Sequence, residues 1–307
     1  MPLTSHPGML AALGMPFLNV NPMLTPGEVY FVNSVRGSNN NDGRDVLRPR
    51  ATWASAYALC RANRGDMVIV LPGHVETYSA AAAMVLNIAG VTTLFFGHGA
   101  NRPTFTLDTV AGASIDVTAA NNIVAGMGGP DSGMIISAVG VDAITAALNV
   151  QAASFAFVNN RLILANATNQ AVLGILTTNA ADRMRLYGNR IEGTVDAGCT
   201  TAVRIVGGDR IEIIGNYING AFTTTIGCIE NVTTDTTDIL IDGNVLKNRT
   251  AASTKVFVLT AASTGHFTRN RMSILSGTAP ITAAAGTSGG DNSYSNAVGI
   301  ASTQTSI

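Results

Sequence analysis

The chain has 307 residues, 47% of them hydrophobic and 12% charged, with 18 Lys and Arg against 19 Asp and Glu. A net charge of −1 leaves no electrostatic case for binding nucleic acid or an anionic membrane. Alanine supplies much of the apolar content and no apolar run is long enough to span a bilayer, so no transmembrane helix is expected.

Residues 1–27 carry five of the ten prolines in a loose Met, Leu and Gly context with no strand or helix period. They read as an extended arm, whose apolar anchors are Pro16, Phe17, Leu18, Met23 and Leu24. Met1–His6 lacks a basic stretch followed by an apolar core, so no signal peptide is expected. Residues 28–65 form an opening unit. Glu28–Val32 alternates as a strand, Gly37–Gly43 is turn-rich, and Thr52 is placed to cap a helix running to about Arg64 with Trp53, Tyr57 and Cys60 on one face. An amphipathic element there would cover the open strand edge at the end of a stack.

The stretch from 66 to 275 is organised by a repeated phrase. Tyr187-Gly188-Asn189-Arg190-Ile191, Ile214-Gly215-Asn216-Tyr217-Ile218 and Asp242-Gly243-Asn244-Val245-Leu246 place their asparagines 27 and 28 residues apart. Weaker copies stand at Asn159-Asn160-Arg161-Leu162 and Arg269-Asn270-Arg271-Met272. Period-two apolar residues flank each copy (Met184 and Leu186, Ile211 and Ile213, Ile239 and Ile241), the mark of strands with one buried face. The Gly-Asn pair supplies the positive φ of a sharp turn. Units this short cannot bury an apolar face alone, but a stack of them can. The fold expected is therefore all-β, a right-handed parallel β-helix with an extended N-terminal arm and a short capping helix. Aligned asparagines would form an amide ladder up the stack. Residues 276–307, rich in Ala, Thr, Ser and Gly, are either a thin terminal turn or an inter-subunit segment.

Candidates for chemistry are few. Asp182, Asp209, Asp235 and Asp238 recur near the repeat spacing beside Arg183 and Arg210. Glycoside hydrolysis needs two carboxylates within about 10 Å, which stacked turns could supply. The simpler expectation is an edge in which aspartates cap turns and are neutralised by the arginines. Glu192 and Glu212 are expected to face solvent. Cys60, Cys199 and Cys228 read as buried thiols, with no companion ligands for zinc. His74 and Glu76 share one strand face without a third ligand, so neither a metal nor any cofactor is expected. Gly126-Met127-Gly128-Gly129 precedes no helix and is no phosphate loop.

The run Val32-Asn33-Ser34, Gly37 to Gly43, Thr52-Trp53 and Gly65 to Tyr78 resembles the N-terminal opening of right-handed parallel β-helix proteins of the pectate-lyase-like superfamily. Lyases of that superfamily use clustered aspartates for calcium and an arginine base, and no such cluster stands out here. The chain further resembles phage-encoded β-helix virion proteins, through Pro72-Gly73-His74-Val75-Glu76-Thr77, Asn101–Thr106 and the thin Ala/Thr repeats. That resemblance implies a homotrimeric particle component made in the host cytoplasm. The reading preferred from sequence is a non-enzymatic capsid decoration protein on the outer head surface, bound to the major capsid protein through Pro16, Phe17, Leu18, Met23 and Leu24. The alternative is a tail spike that grips or cleaves host polysaccharide.

Overall fold

The structure, a computed structural model, describes residues 27–79, 84–108, 111–127, 133–140, 143–166, 169–193, 199–223, 225–231, 234–251, 253–259, 262–276, 280–283 and 286–295. The arm and its five anchor residues lie outside them.

Three parallel sheets stack along one axis, with ten strands in sheet A, nine in sheet B and eight in sheet C. Each turn of the coil visits A, then B, then C, so every strand pairs with its counterpart one repeat away. In sheet A, for example, Leu186 pairs with Ile213 and Ile213 with Ile241. This is a parallel β-helix, as the period implied. The stacking continues beyond Leu275 through Gly286–Gly290 and Ser293–Ser295.

Inward-facing side chains form one column per sheet. Val124, Phe157, Leu186, Ile213, Ile241 and Phe267 line A. Phe105, Ile136, Leu162, Ile191, Ile218 and Leu246 line B. Ile115, Leu148, Ile175, Val203, Ile229 and Phe257 line C. All are essentially inaccessible. Burial of this continuous core, at about 25 cal/mol per Å² of apolar area, supplies the stabilisation that no single turn could provide.

The bend from A to B carries the amide ladder. The residue before each ladder asparagine is left-handed: Asn159, Gly188, Gly215, Gly243, Arg269 and Asp291 have φ between 53° and 65°. The next residue then points its amide inward. The backbone N–H of Asn160 donates to Asn189 Oδ1 (3.0 Å), and the same bond links Asn189 to Asn216, Asn216 to Asn244, Asn244 to Asn270 and Asn270 to Asn292. Each Nδ2 also donates to a strand carbonyl, as from Asn216 to Leu186 (2.7 Å). These buried polar groups are thus satisfied.

The cap differs from expectation in one respect. The helix covers only Trp53–Tyr57, with the Thr52 hydroxyl capping Ser55 N–H. Beyond it, Leu59 and Cys60 bond three residues back, and Asn63 and Gly65 take positive φ. The chain is pulled out of helix because Asp66, fully buried, accepts from the N–H groups of Glu28 and Arg61 and from Arg64. Trp53 stacks on Tyr57, ring centroids 4.4 Å apart, and closes the end of the core.

Candidate functional site

The aspartate edge is a turn device. At the bend from C to A, Arg183, Arg210 and Asp238 are left-handed, with φ of 55° to 57°. Asp182 accepts the N–H of Asp209 (2.9 Å), and Asp209 accepts both the N–H (3.3 Å) and the hydroxyl (2.5 Å) of Thr237. Asp235 likewise accepts Ala262 N–H (2.8 Å). The expected Asp–Arg neutralisation is not seen among the described residues: the aspartates bond the next turn's backbone, while Arg183 and Arg210 extend into solvent.

The pair His74 and Glu76 is also occupied. His74 Nδ1 accepts Ser34 N–H (3.0 Å), which places the ring proton on Nε2, 3.0 Å from Glu76 Oε2. Glu76 Oε2 accepts Trp53 N–H as well (2.9 Å). Both side chains fasten the cap to the first turn. No three His, Cys, Asp or Glu side chains converge among the described residues. Asp182, Asp209 and Asp235 are engaged in turns and form no clustered-carboxylate site among the described residues. The three cysteines are buried and free, and burial pushes the Cys199 thiol up to about 12.

The arrangement with chemical content lies on the outer face of sheet B. The residue after each ladder asparagine begins a sheet-B strand and points outward, which stacks Arg161, Arg190, Tyr217, Val245 and Arg271 in one column. Two residues on, Ile163, Glu192, Asn219, Lys247 and Ser273 form a second. Glu192 joins the columns: it accepts from Arg161 Nε (2.8 Å) and Nη2 (2.6 Å) and from Arg190 Nε (2.6 Å). It is 5% exposed, which corrects the expectation that it faces solvent. Two guanidinium groups covering one carboxylate exclude water from it. Burial raises its pKa, but the hydrogen bonds and charges of Arg190 and Arg161 outweigh that and hold it below the ordinary value. Arg190 and Lys247 each stand 5.3 Å from the Tyr217 ring centre, on its two neighbouring turns. The amide oxygen of Asn219, between Glu192 and Lys247, is buried and has no hydrogen-bond partner among the described residues.

Among the described residues of these two columns, Arg161, Arg190, Lys247 and Arg271 oppose Glu192 alone, in a chain whose net charge is −1. The row can bind an anion through guanidinium forks and stack a ring on Tyr217. Carboxylate spacing in the sequence gives no hint of this row. The signal was nevertheless present, in the Asn-Arg dipeptide that recurs at 160–161, 189–190 and 270–271.

No family model matches the chain, and no curated protein does. Among solved structures, the crystal structure of pectate lyase Pel9A aligns with a TM-score of 0.63 at 14% identity, covering 89% of this chain and 70% of that one. A rhamnogalacturonan lyase aligns with a TM-score of 0.45 at 15% identity, over 80% and 74%. The class that fold and comparison define is the parallel β-helix, an architecture similar to that of pectate lyase Pel9A. The expectation that the chain is not an enzyme is overturned here, since the architecture it shares is that of a polysaccharide lyase. At 14% identity the likeness establishes the architecture and assigns no activity. No helix among the described residues is long and apolar enough to cross a membrane.

Proposed function

We propose that this chain is a phage virion surface protein whose β-helix grips an acidic host polysaccharide along the outer face of sheet B. The observation that carries this reading is the cation excess of the row, braced from within by Glu192. Arg161 and Arg190 are fixed by a shared carboxylate, so binding would freeze little side-chain entropy. Their side chains remain 34% and 41% exposed at the surface. The likeness to a pectate lyase supports a glycan ligand, and the resemblance of Pro72–Thr77, Asn101–Thr106 and the thin Ala/Thr repeats to phage β-helix virion proteins supports the virion.

Titration calorimetry with polygalacturonate, alginate and neutral dextran tests it. Binding to an acidic polymer is expected, falling at least about tenfold in R190A/K247A. Equal binding of dextran, or an unchanged double variant, would overturn the reading. Appearance of unsaturated sugar ends in the same mixtures separates cleaving from gripping.

A second reading, a trimeric capsid decoration protein anchored by its arm, is favoured by the proline-rich apolar stretch ahead of the solenoid. It requires a copy number within a few-fold of the major capsid protein in purified particles. It also requires loss of attachment on deleting residues 1–27. A few copies per particle, with attachment kept after the deletion, would leave only the spike reading.

A further inference from the structure

Sheet C presents a different surface. Its outward column runs Asp116, Asn149, Leu176, Arg204, Glu230 and Val258 over successive turns. At the far end Arg204 and Glu230 pair with each other. At the near end Asp116 has no cationic partner among the described residues and accepts only the Ser114 hydroxyl, at 2.8 Å. One turn on, the amide oxygen of Asn149 is buried and accepts no hydrogen bond from the described residues. Both residues line a depression of about 260 Å³ with Ser114, Thr145, Ala146 and Leu176.

The chemistry of the lining is one-sided. Asp116 offers a carboxylate, Asn149 a carbonyl oxygen, and Ser114 a hydroxyl whose hydrogen is already committed to Asp116. With the Thr145 hydroxyl and the Asn149 amide N–H groups they make a polar lining without a charged donor, while Ala146 and Leu176 supply an apolar wall. A buried acceptor without a donor calls for an explanation, and a ligand bearing several N–H groups provides one. A positive charge on that ligand would answer Asp116, and a short aliphatic stem would lie on Leu176. The volume is below the roughly 300–1,000 Å³ typical of sites for drug-sized ligands, so the occupant is a small molecule or a single side chain.

We infer that the sheet-C depression is a binding site for an organic cation, an ammonium or guanidinium group on a short aliphatic stem. The site is independent of the sheet-B row and does not rest on the polysaccharide reading. Two sources carry this chemistry: a free polyamine or guanidine, and a Lys or Arg side chain offered by a protein partner.

The test uses the full chain, with agmatine as the free probe and a blocked arginine, N-acetyl-arginine methylamide, as the side-chain probe. Saturable binding is followed by NMR chemical-shift changes or calorimetry. Agmatine binding is expected to weaken at least about tenfold in D116N and in N149L, since a hydrogen bond to a charged group is lost in each. Both residues lie on the outer face, so circular dichroism should show the β-helix intact, and D209N, which removes a carboxylate from an exposed turn, serves as a control that leaves binding unchanged. Equal binding of the blocked arginine identifies a partner's side chain as a competent occupant, whereas binding of agmatine alone identifies a free amine; either result supports the site. No saturable binding of either probe, or binding indifferent to both D116N and N149L, would overturn it.

Discussion

The two bends of the repeat solve one problem in different chemistries. Each sets a side-chain oxygen next to a left-handed residue to receive an N–H from a neighbouring turn: Asn189, Asn216 and Asn244 just after it at the A-to-B bend, Asp182 and Asp209 just before it at the C-to-A bend. The asparagines are at most 2% exposed, whereas Asp209 is open to solvent. Burial decides which oxygen is tolerated. A neutral amide both accepts and donates, so it can be stacked on copies of itself in a dry interior. A carboxylate only accepts and carries charge, so it is admitted where water can reach it.

Exchanging the two residue types would sharpen this contrast most. Asn216→Asp buries a charge against the Asn244 oxygen that its own Nδ2 now serves, at 3.1 Å. It is expected to lose on the order of 4 kcal/mol in chemical denaturation. Next in size is Gly243→Val, which forces a β-branched residue to a φ of 63° for about 2 kcal/mol. Gly243→Asn should cost well under half of that, because no atom would crowd its Cβ and Asn159 already adopts this conformation. The reverse exchange, Asp209→Asn, keeps an acceptor at an exposed turn and should change stability by no more than about 0.5 kcal/mol.

A pH series separates the buried carboxylates from the edge. Asp66, Glu192 and Asp242 are each held below their ordinary values. For Asp66 and Glu192 burial opposes this and is outweighed, by donors from Glu28, Arg61 and Arg64 in one case and by Arg190 and Arg161 in the other. For Asp242 the Arg269 hydrogen bond leads. A depressed carboxylate contributes stability that is present above its unfolded pKa, about 4. That contribution is lost as pH falls through the lower folded value. The melting temperature should therefore hold from neutral pH down to about 5 and drop below about 4. In E192Q the drop should be shallower, and an unchanged slope would show that Glu192 does not contribute to it.

The repeat was legible because every turn must meet the same demand. A Gly-Asn pair, or a substitute such as Asn159-Asn160 or Arg269-Asn270, is needed wherever the chain bends inward, so spacing alone locates the bends. The cap was partly legible: Thr52 and Trp53 were identifiable, but the early end of the helix depends on Asp66 meeting Glu28, 38 residues away. Outward positions obey no such demand. The outward column of sheet B mixes Arg, Tyr and Val, and that of sheet C mixes Asp, Asn, Leu, Arg and Glu, so no single residue type marks either face. The buried Glu192 could not be distinguished from an exposed glutamate until Arg161 was placed on the turn before it. The expectation that the chain is not an enzyme rested on the thin repeats, the apolar arm and the lack of a catalytic constellation, none of which displays the architecture shared with a pectate lyase.

The amide ladder also has a direction. The N–H of Asn160 waits for an oxygen delivered by Asn189, that of Asn189 for Asn216, and so on to Asn292, each acceptor arriving 22 to 29 residues later in the chain. On the ribosome, every turn therefore emerges with one inward donor unanswered until the following turn has been made. The nascent rod closes behind its own growing end, one coil late, with the capped end finished first.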